Sequence, residues 1–221
     1  MLKVIAGFLL FVSVWFMAGC RRINEASLET QSTEETFPEI RYMEKISFAA
    51  GPWQNAYAAF LRGPENYTER DHYAGNFALA DLDNDGSPEL IIAYYDGVQG
   101  GAIFANVYLY NGKVRMIGQQ SDMYYKGCYY STDPSFPGVF VEGGRMSNFS
   151  CSHWTIKNSM FVDEPLWSNA YDYDVGEMVY EEFTGNKQLI AEAKRVISLY
   201  PYGIEFSEID EINIQKAIYD N

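Results

Sequence analysis

A nine-residue segment, Asp81-Leu82-Asp83-Asn84-Asp85-Gly86-Ser87-Pro88-Glu89, places carboxylates at its first, third, fifth and ninth positions, between two apolar runs. Upstream, residues 77–82 (FALADL) read as a short strand. Downstream, residues 89–95 (ELIIAYY) read as a second, and consecutive Leu90, Ile91 and Ile92 indicate burial on both faces. The segment is therefore a tight connection between two strands. Four carboxylates in so short a loop repel one another unless a cation sits among them. Ca²⁺ takes about six to eight oxygen ligands, and alternate side chains of a tight loop can converge on one ion. Gly86, at the sixth position, tolerates the positive φ such a turn requires. The expected ligands are the side chains of Asp81, Asp83, Asp85 and Glu89 with the backbone carbonyl of Ser87. Their role is structural, because no neighbouring base suggests metal catalysis.

Around this loop the hydrophobic periodicity switches twice. Trp53, Ala56, Tyr57, Phe60 and Leu61 form one helical stripe over Pro52–Leu61, with Pro52 in the first turn and Gly63-Pro64 beyond the end. Residues 103–110 alternate as a strand, and Asn111-Gly112 predicts a type I′ hairpin into a return strand over 113–117. Further strands are expected at 127–131, 138–142 and 150–157. Leu189, Ile190, Ala193, Val196, Ile197 and Tyr200 then form a second helical stripe, ended by Pro201 and Gly203. Ser207 with Asp210 resembles a helix start, with Ile209, Ile212 and Ile218 on a last short helix. The expected fold is α+β: an antiparallel β-meander sheet with flanking N- and C-terminal helices. No repeat with a period of 20–50 residues is evident, which argues against a propeller within the chain.

The N-terminus sets the expected compartment. Lys3 precedes an uncharged run from Val4 to Met17, shorter than the roughly 20 apolar residues of a membrane span and suited to a signal-peptide core. Met17-Ala18-Gly19-Cys20 then resembles the bacterial lipobox, although Met17 replaces the usual Leu. The resemblance implies cleavage before Cys20, lipidation of its sulfur and a location on the extracytoplasmic face of the cell membrane. Residues 1–19 are thus expected to be a signal peptide. Residues 20–43, rich in Ser, Thr and Glu, read as a polar tether, and residues 44–221 as one domain. Two of the three cysteines remain after lipidation, Cys128 and Cys151, and an even remainder in an exported chain predicts one disulfide.

The acidic loop also resembles known calcium loops. Comparison with the EF-hand fails at its twelfth position, where Ile92 replaces the bidentate Glu, and at its flanks, which read as strands rather than helices. The pattern over Phe77–Tyr95 instead resembles the calcium loop of FG-GAP and VCBS-type repeats of secreted proteins. Those families repeat the unit to build a propeller; a single copy here carries over the ion and not the fold. The same stretch is similar to the single-copy loop of uncharacterised lipoproteins from Gram-positive gut bacteria, which implies a location and no activity. Asp172-Tyr173-Asp174-Val175-Gly176-Glu177 echoes the pattern only weakly, because Gly176 is out of register.

Other chemistries have little support. Sixteen Lys and Arg against 30 Asp and Glu give a net charge of −14, unsuited to a nucleic-acid partner. Two histidines, His72 and His153, without a C-x-x-C make a zinc centre improbable. Ser150-Cys151-Ser152-His153 brings candidate nucleophiles near a His, but strand neighbours face opposite ways, and no G-x-S-x-G or phosphate-binding glycine loop occurs. No catalytic residue or organic cofactor is therefore assigned. Tyr124, Tyr125, Tyr129, Tyr130, Trp154 and Trp167 lie in an aromatic-rich stretch that serves either a core, a glycan platform or a protein contact. The chain reads as a membrane-tethered binding or assembly module whose partner is an extracellular protein or a glycan, a secreted hydrolase being the less favoured alternative.

Overall fold

The apolar stripe beginning at Pro52 folds as helix α1 (Pro52–Arg62), burying Trp53, Tyr57, Ala58 and Leu61. The Gln54 side chain reaches back to accept the Gly51 N–H at 3.2 Å, satisfying a donor at the helix entry. The computed structural model describes Met43 and residues 46–68, 73–95, 102–121, 125–145, 148–200 and 203–220, within a compact unit spanning 39–221. The expected signal peptide, Cys20, the tether up to residue 42, His72 and Tyr124 lie outside the described residues.

Four strands follow: β1 (Tyr73–Ala80), β2 (Glu89–Tyr95), β3 (Ala102–Tyr110) and β4 (Val114–Ser121). Five more are β5 (Tyr125–Tyr130), β6 (Val139–Arg145), β7 (Asn148–Lys157), β8 (Met160–Asp172) and β9 (Glu177–Glu182). The chain ends with α2 (Lys187–Leu199), the two-residue strand β10 (Ser207–Glu208) and α3 (Glu211–Ile218). The mixture of helix and antiparallel strand is as expected, but the single meander is not. Among the described residues there are two five-stranded sheets, ordered β10-β1-β2-β3-β4 and β5-β6-β7-β8-β9.

Side-chain alternation explains the division. Phe77, Leu79, Leu90, Ile92, Tyr94, Phe104 and Tyr108 form one face of the first sheet, covered by Trp53, Tyr57 and Leu61 of α1 and Ile214 and Ile218 of α3. Ile91, Ala105 and Val107 form the opposite face and meet Cys128, Val139, Val141, Trp154 and Ile156 of the second sheet. Tyr129, Phe140, Cys151 and Leu166 point outward from the second sheet, beneath Leu189, Ile190, Ala193 and Val196 of α2. The result is four layers: helices, sheet, sheet, helix. A single sheet would leave one of these apolar faces in water, at about 25 cal/mol per Å² exposed.

Local chemistry sets the turns and caps. The Asn111–Lys113 connection is a three-residue loop, with Tyr110 paired to Val114, and only Gly112 takes a positive φ, 73°. The type I′ hairpin expected there is thus absent, since it needs two left-handed residues. That geometry occurs instead at Asn158 (φ 55°) and Ser159 (φ 59°), which join Lys157 to Met160 in register. Asn186 Oδ1 caps α2 by accepting the Leu189 N–H at 3.1 Å. Asp210 Oδ1 caps α3 by accepting the Asn213 N–H at 2.8 Å, whereas Ser207 belongs to β10 and not to the helix start. Among the described residues no helix is long and apolar enough to cross a membrane.

The expected disulfide is not formed: Cys128 and Cys151 are both buried free thiols. Register gives the reason. Cys128 of β5 pairs with Val141 of β6, while Cys151 of β7 pairs with Glu142, the next residue of β6. The two cysteines are therefore two strands apart, on opposite faces of one sheet. Two strand spacings come to about 9–10 Å, beyond the roughly 7 Å limit on Cα separation for a bridge.

Two outcomes follow. Cys128 and Cys151 should react with a thiol reagent only after denaturation, and a reductant should leave the melting temperature unchanged. At Gly118, an added Cβ would lie 2.6 Å from Phe161 Cβ and 2.2 Å from its ring. Gly118→Ala should therefore cost about 1–3 kcal/mol by overpacking between the sheets, measured by denaturant titration.

Candidate metal centre

The acidic loop connects β1 to β2, whose residues pair in direct succession from Ala80↔Glu89 to Asn76↔Ala93, where the register shifts. Its backbone winds around Asp81. Oδ1 of Asp81 accepts the Asp85 N–H at 3.1 Å and Oδ2 accepts the Gly86 N–H at 2.8 Å. Left-handed backbone at Asn84 (φ 62°) and Gly86 (φ 88°) makes this tight winding feasible. Gly86 is thus needed for its conformation, as its position in the sequence suggests.

The loop brings Asp81, Asp83 and Glu89 together, with one oxygen of each carboxylate within 4.8 Å of the others. Asp85 does not join this group: its side chain is exposed, and Oδ1 accepts the Ser87 N–H at 2.7 Å. Ser87 is exposed at the outer end of the loop. Glu89 is the unusual member, only 1% exposed, with Oε2 accepting the Leu82 N–H at 2.8 Å.

Burial dominates the electrostatics. Desolvation pushes the Glu89 carboxyl up to about 9, and the Asp83, Asp81 and Asp85 charges add to the rise, against the lowering effect of the Leu82 N–H. Asp83 is also raised, first by burial and then by the charge of Asp85. All donors in the group are carboxylate oxygens, which suit a hard cation such as Ca²⁺, Mg²⁺ or Mn²⁺ and not a thiolate- or imidazole-seeking metal.

Three elements hold the loop in place. Ala49 N–H, just before α1, donates to the Gly86 carbonyl at 3.3 Å. The Tyr57 hydroxyl, buried under α1, contacts the Pro88 carbonyl at 3.0 Å and accepts the Tyr110 N–H at 3.0 Å. From the second sheet, Thr155 Oγ1 and Ile156 N–H both donate to the Leu82 carbonyl, at 3.0 and 3.3 Å. The carboxylate group therefore sits where α1 and the two sheets converge. Tyr57 and Thr155 are supporting residues that no local pattern marks, because they meet the loop only through the tertiary fold.

The other sequence candidates serve different ends. Asp172–Glu177 is a hairpin turn in which Asp172 Oδ1 accepts the N–H groups of Asp174 and Val175. His153 is buried, with its ring against Phe140 and Nε2 at 3.0 Å from the Pro137 carbonyl; burial lowers its basicity. Burial likewise pushes the Cys151 thiol well above its usual range, so it is not an activated nucleophile. Tyr129, Tyr130 and Trp154 lie in the core. Trp167 packs on the outer face of the second sheet with Lys194 Nζ 5.5 Å from its ring centroid.

Comparison of the chain with known family models, curated proteins and solved structures yields no match.

The Glu89 environment fixes a pH trend. Without a cation, the folded state holds this proton more tightly than the unfolded chain does. Stability is then fully present below the unfolded carboxyl value and falls as pH rises toward 9. In chelator, unfolding free energy should fall by up to about 1.4 kcal/mol per pH unit between roughly pH 7 and 8. Buried, neutral His153 acts in the opposite direction only below its ordinary range. Glu89→Gln, which keeps an acceptor for Leu82 N–H, should flatten this slope.

Proposed function

We propose that this protein is a lipid-anchored extracytoplasmic module in which a single structural Ca²⁺ ion braces the junction of two sheets, and that its role is binding or assembly rather than catalysis. The observation that carries the calcium reading is the convergence of Asp81, Asp83 and buried Glu89 within 4.8 Å. Three carboxylates so placed, one of them without solvent, form an incomplete electrostatic arrangement that a divalent cation completes. Asp85 and the Ser87 carbonyl, which stand outside that group, would have to turn inward on ion binding to add to the oxygen set. The resemblance of residues 77–95 to calcium loops of secreted proteins supports Ca²⁺ among the hard cations. The anchor rests on Lys3, the apolar run and Cys20.

A protein contact is favoured over a glycan platform. Sugar stacking uses open, coplanar rings, whereas half-buried Tyr171 and exposed Tyr173 stand edge to face at 77°. The buried state of Cys151 and His153 likewise supports binding over hydrolysis.

Calorimetry and thermal unfolding test the metal reading. Ca²⁺ should bind with a dissociation constant of about 10⁻⁴ to 10⁻³ M, as in extracellular modules, and raise stability by about 1.4 kcal/mol at ten times that concentration. Asp83→Asn should abolish this gain, and Asp85→Asn should weaken it less. Mg²⁺ should substitute poorly, since it demands a smaller octahedral site. Identical melting in chelator and in millimolar Ca²⁺ would contradict the proposal. For the anchor, Cys20→Ala should release the protein from membranes, detected by fractionation and mass spectrometry.

A further inference from the structure

Strand β9 forms an outer edge of the second sheet, paired only with β8 among the described residues. An edge strand presents a row of unpaired N–H and C=O groups, and folds usually cover it or interrupt it. Here it is neither. Met178, Val179 and Tyr180 are 44%, 44% and 46% exposed, and no bulge breaks the register from Trp167↔Glu182 to Asp172↔Glu177.

Charge selects what can pair with it. Alternation puts Glu177, Val179 and Glu181 on one face and Met178, Tyr180 and Glu182 on the other. Glu182 already binds Lys187 and lies 3.6 Å from Lys194, and Lys194 Nζ also sits 4.8 Å from the Tyr180 ring. Glu177 and Glu181 meet no cation among the described residues. A second copy is disfavoured: antiparallel self-pairing about Val179 sets Glu177 against Glu181 twice, and like charges directly opposite are destabilising. A strand with cations opposite both glutamates relieves that repulsion. The same strand would place apolar residues opposite Met178 and Tyr180 and a β-branched residue opposite Val179.

We propose that the outer edge of β9 accepts, by strand addition, an extended basic segment of a partner protein with the pattern basic–apolar–β-branched–apolar–basic. This rests on the protein-contact reading above and specifies its site. Main-chain hydrogen bonds supply affinity and the alternating side chains supply selectivity.

The test uses the full chain and two synthetic peptides, acetyl-Thr-Lys-Val-Thr-Val-Lys-Thr-amide and its Glu-for-Lys counterpart, followed by hydrogen exchange. The Lys peptide should slow exchange across residues 177–182 by about tenfold at saturation, and the Glu peptide should not. Met178→Pro should remove the protection: Phe183 N–H bonds the Leu166 carbonyl, so in the unbroken register the N–H groups of Met178 and Tyr180 face the free edge, where a proline cannot donate to the added strand. Glu177→Lys/Glu181→Lys should reverse the peptide preference, which keeps the test decisive if the proline variant misfolds. Equal protection by both peptides, or self-association through residues 177–182, would overturn the proposal. Protection of another segment by the Lys peptide would overturn the β9 assignment while supporting a protein contact. Protection nowhere would count against both.

Discussion

Glu89 is the buried carboxyl on which this architecture turns. It is the first residue of β2, paired with Ala80 at the mouth of the β1–β2 connection, and it is buried beside two other carboxylates. Its bond to the Leu82 N–H fixes the loop's path. The carbonyl of the same Leu82 then accepts from Thr155 and Ile156 of the second sheet. One residue thus links the carboxylate group to the junction between sheets. A buried carboxylate with a single neutral donor is poorly compensated, so the local energetics favour a proton or a cation at this place.

The layers around it follow from two-sided strands. Leu90, Ile91 and Ile92 are all fully buried, with Leu90 and Ile92 under α1 and α3 and Ile91 against the second sheet. Tyr57 ties these layers to the loop by contacting the Pro88 carbonyl and accepting from Tyr110. Disturbing the carboxylates should therefore register in global stability and not only in a surface turn. By contrast, β9 lies at the far edge of the other sheet, with β8 between it and β7, the strand that touches the acidic loop. The proposed ion site and the proposed peptide edge can consequently be tested separately.

Much of this was legible in the sequence where local pattern and tertiary demand agree. The α1 stripe, strand β2 and the apolar stripe of α2 follow from periodicity. Asp81, Asp83 and Glu89 also converge from their spacing alone. What escaped reading depends on partners distant in the chain. Strand β8 gives no clean alternation because Pro165 interrupts it and the β7–β8 pairing shifts near Cys151. Strand β9 mixes Glu with Met, Val and Tyr, since neither of its faces is buried. Counting cysteines suggested a bridge, but only strand register reveals that Cys128 and Cys151 face opposite ways.

The most direct test of the central claim is a Ca²⁺ titration by calorimetry at pH 7.5 in two buffers with different ionisation enthalpies. If Ca²⁺ displaces the proton that burial holds on Glu89, the difference in heat should report release of about one proton per ion bound. Glu89→Gln should then release none. Absence of Ca²⁺ binding, or binding with no proton released by the wild-type chain, would contradict the account.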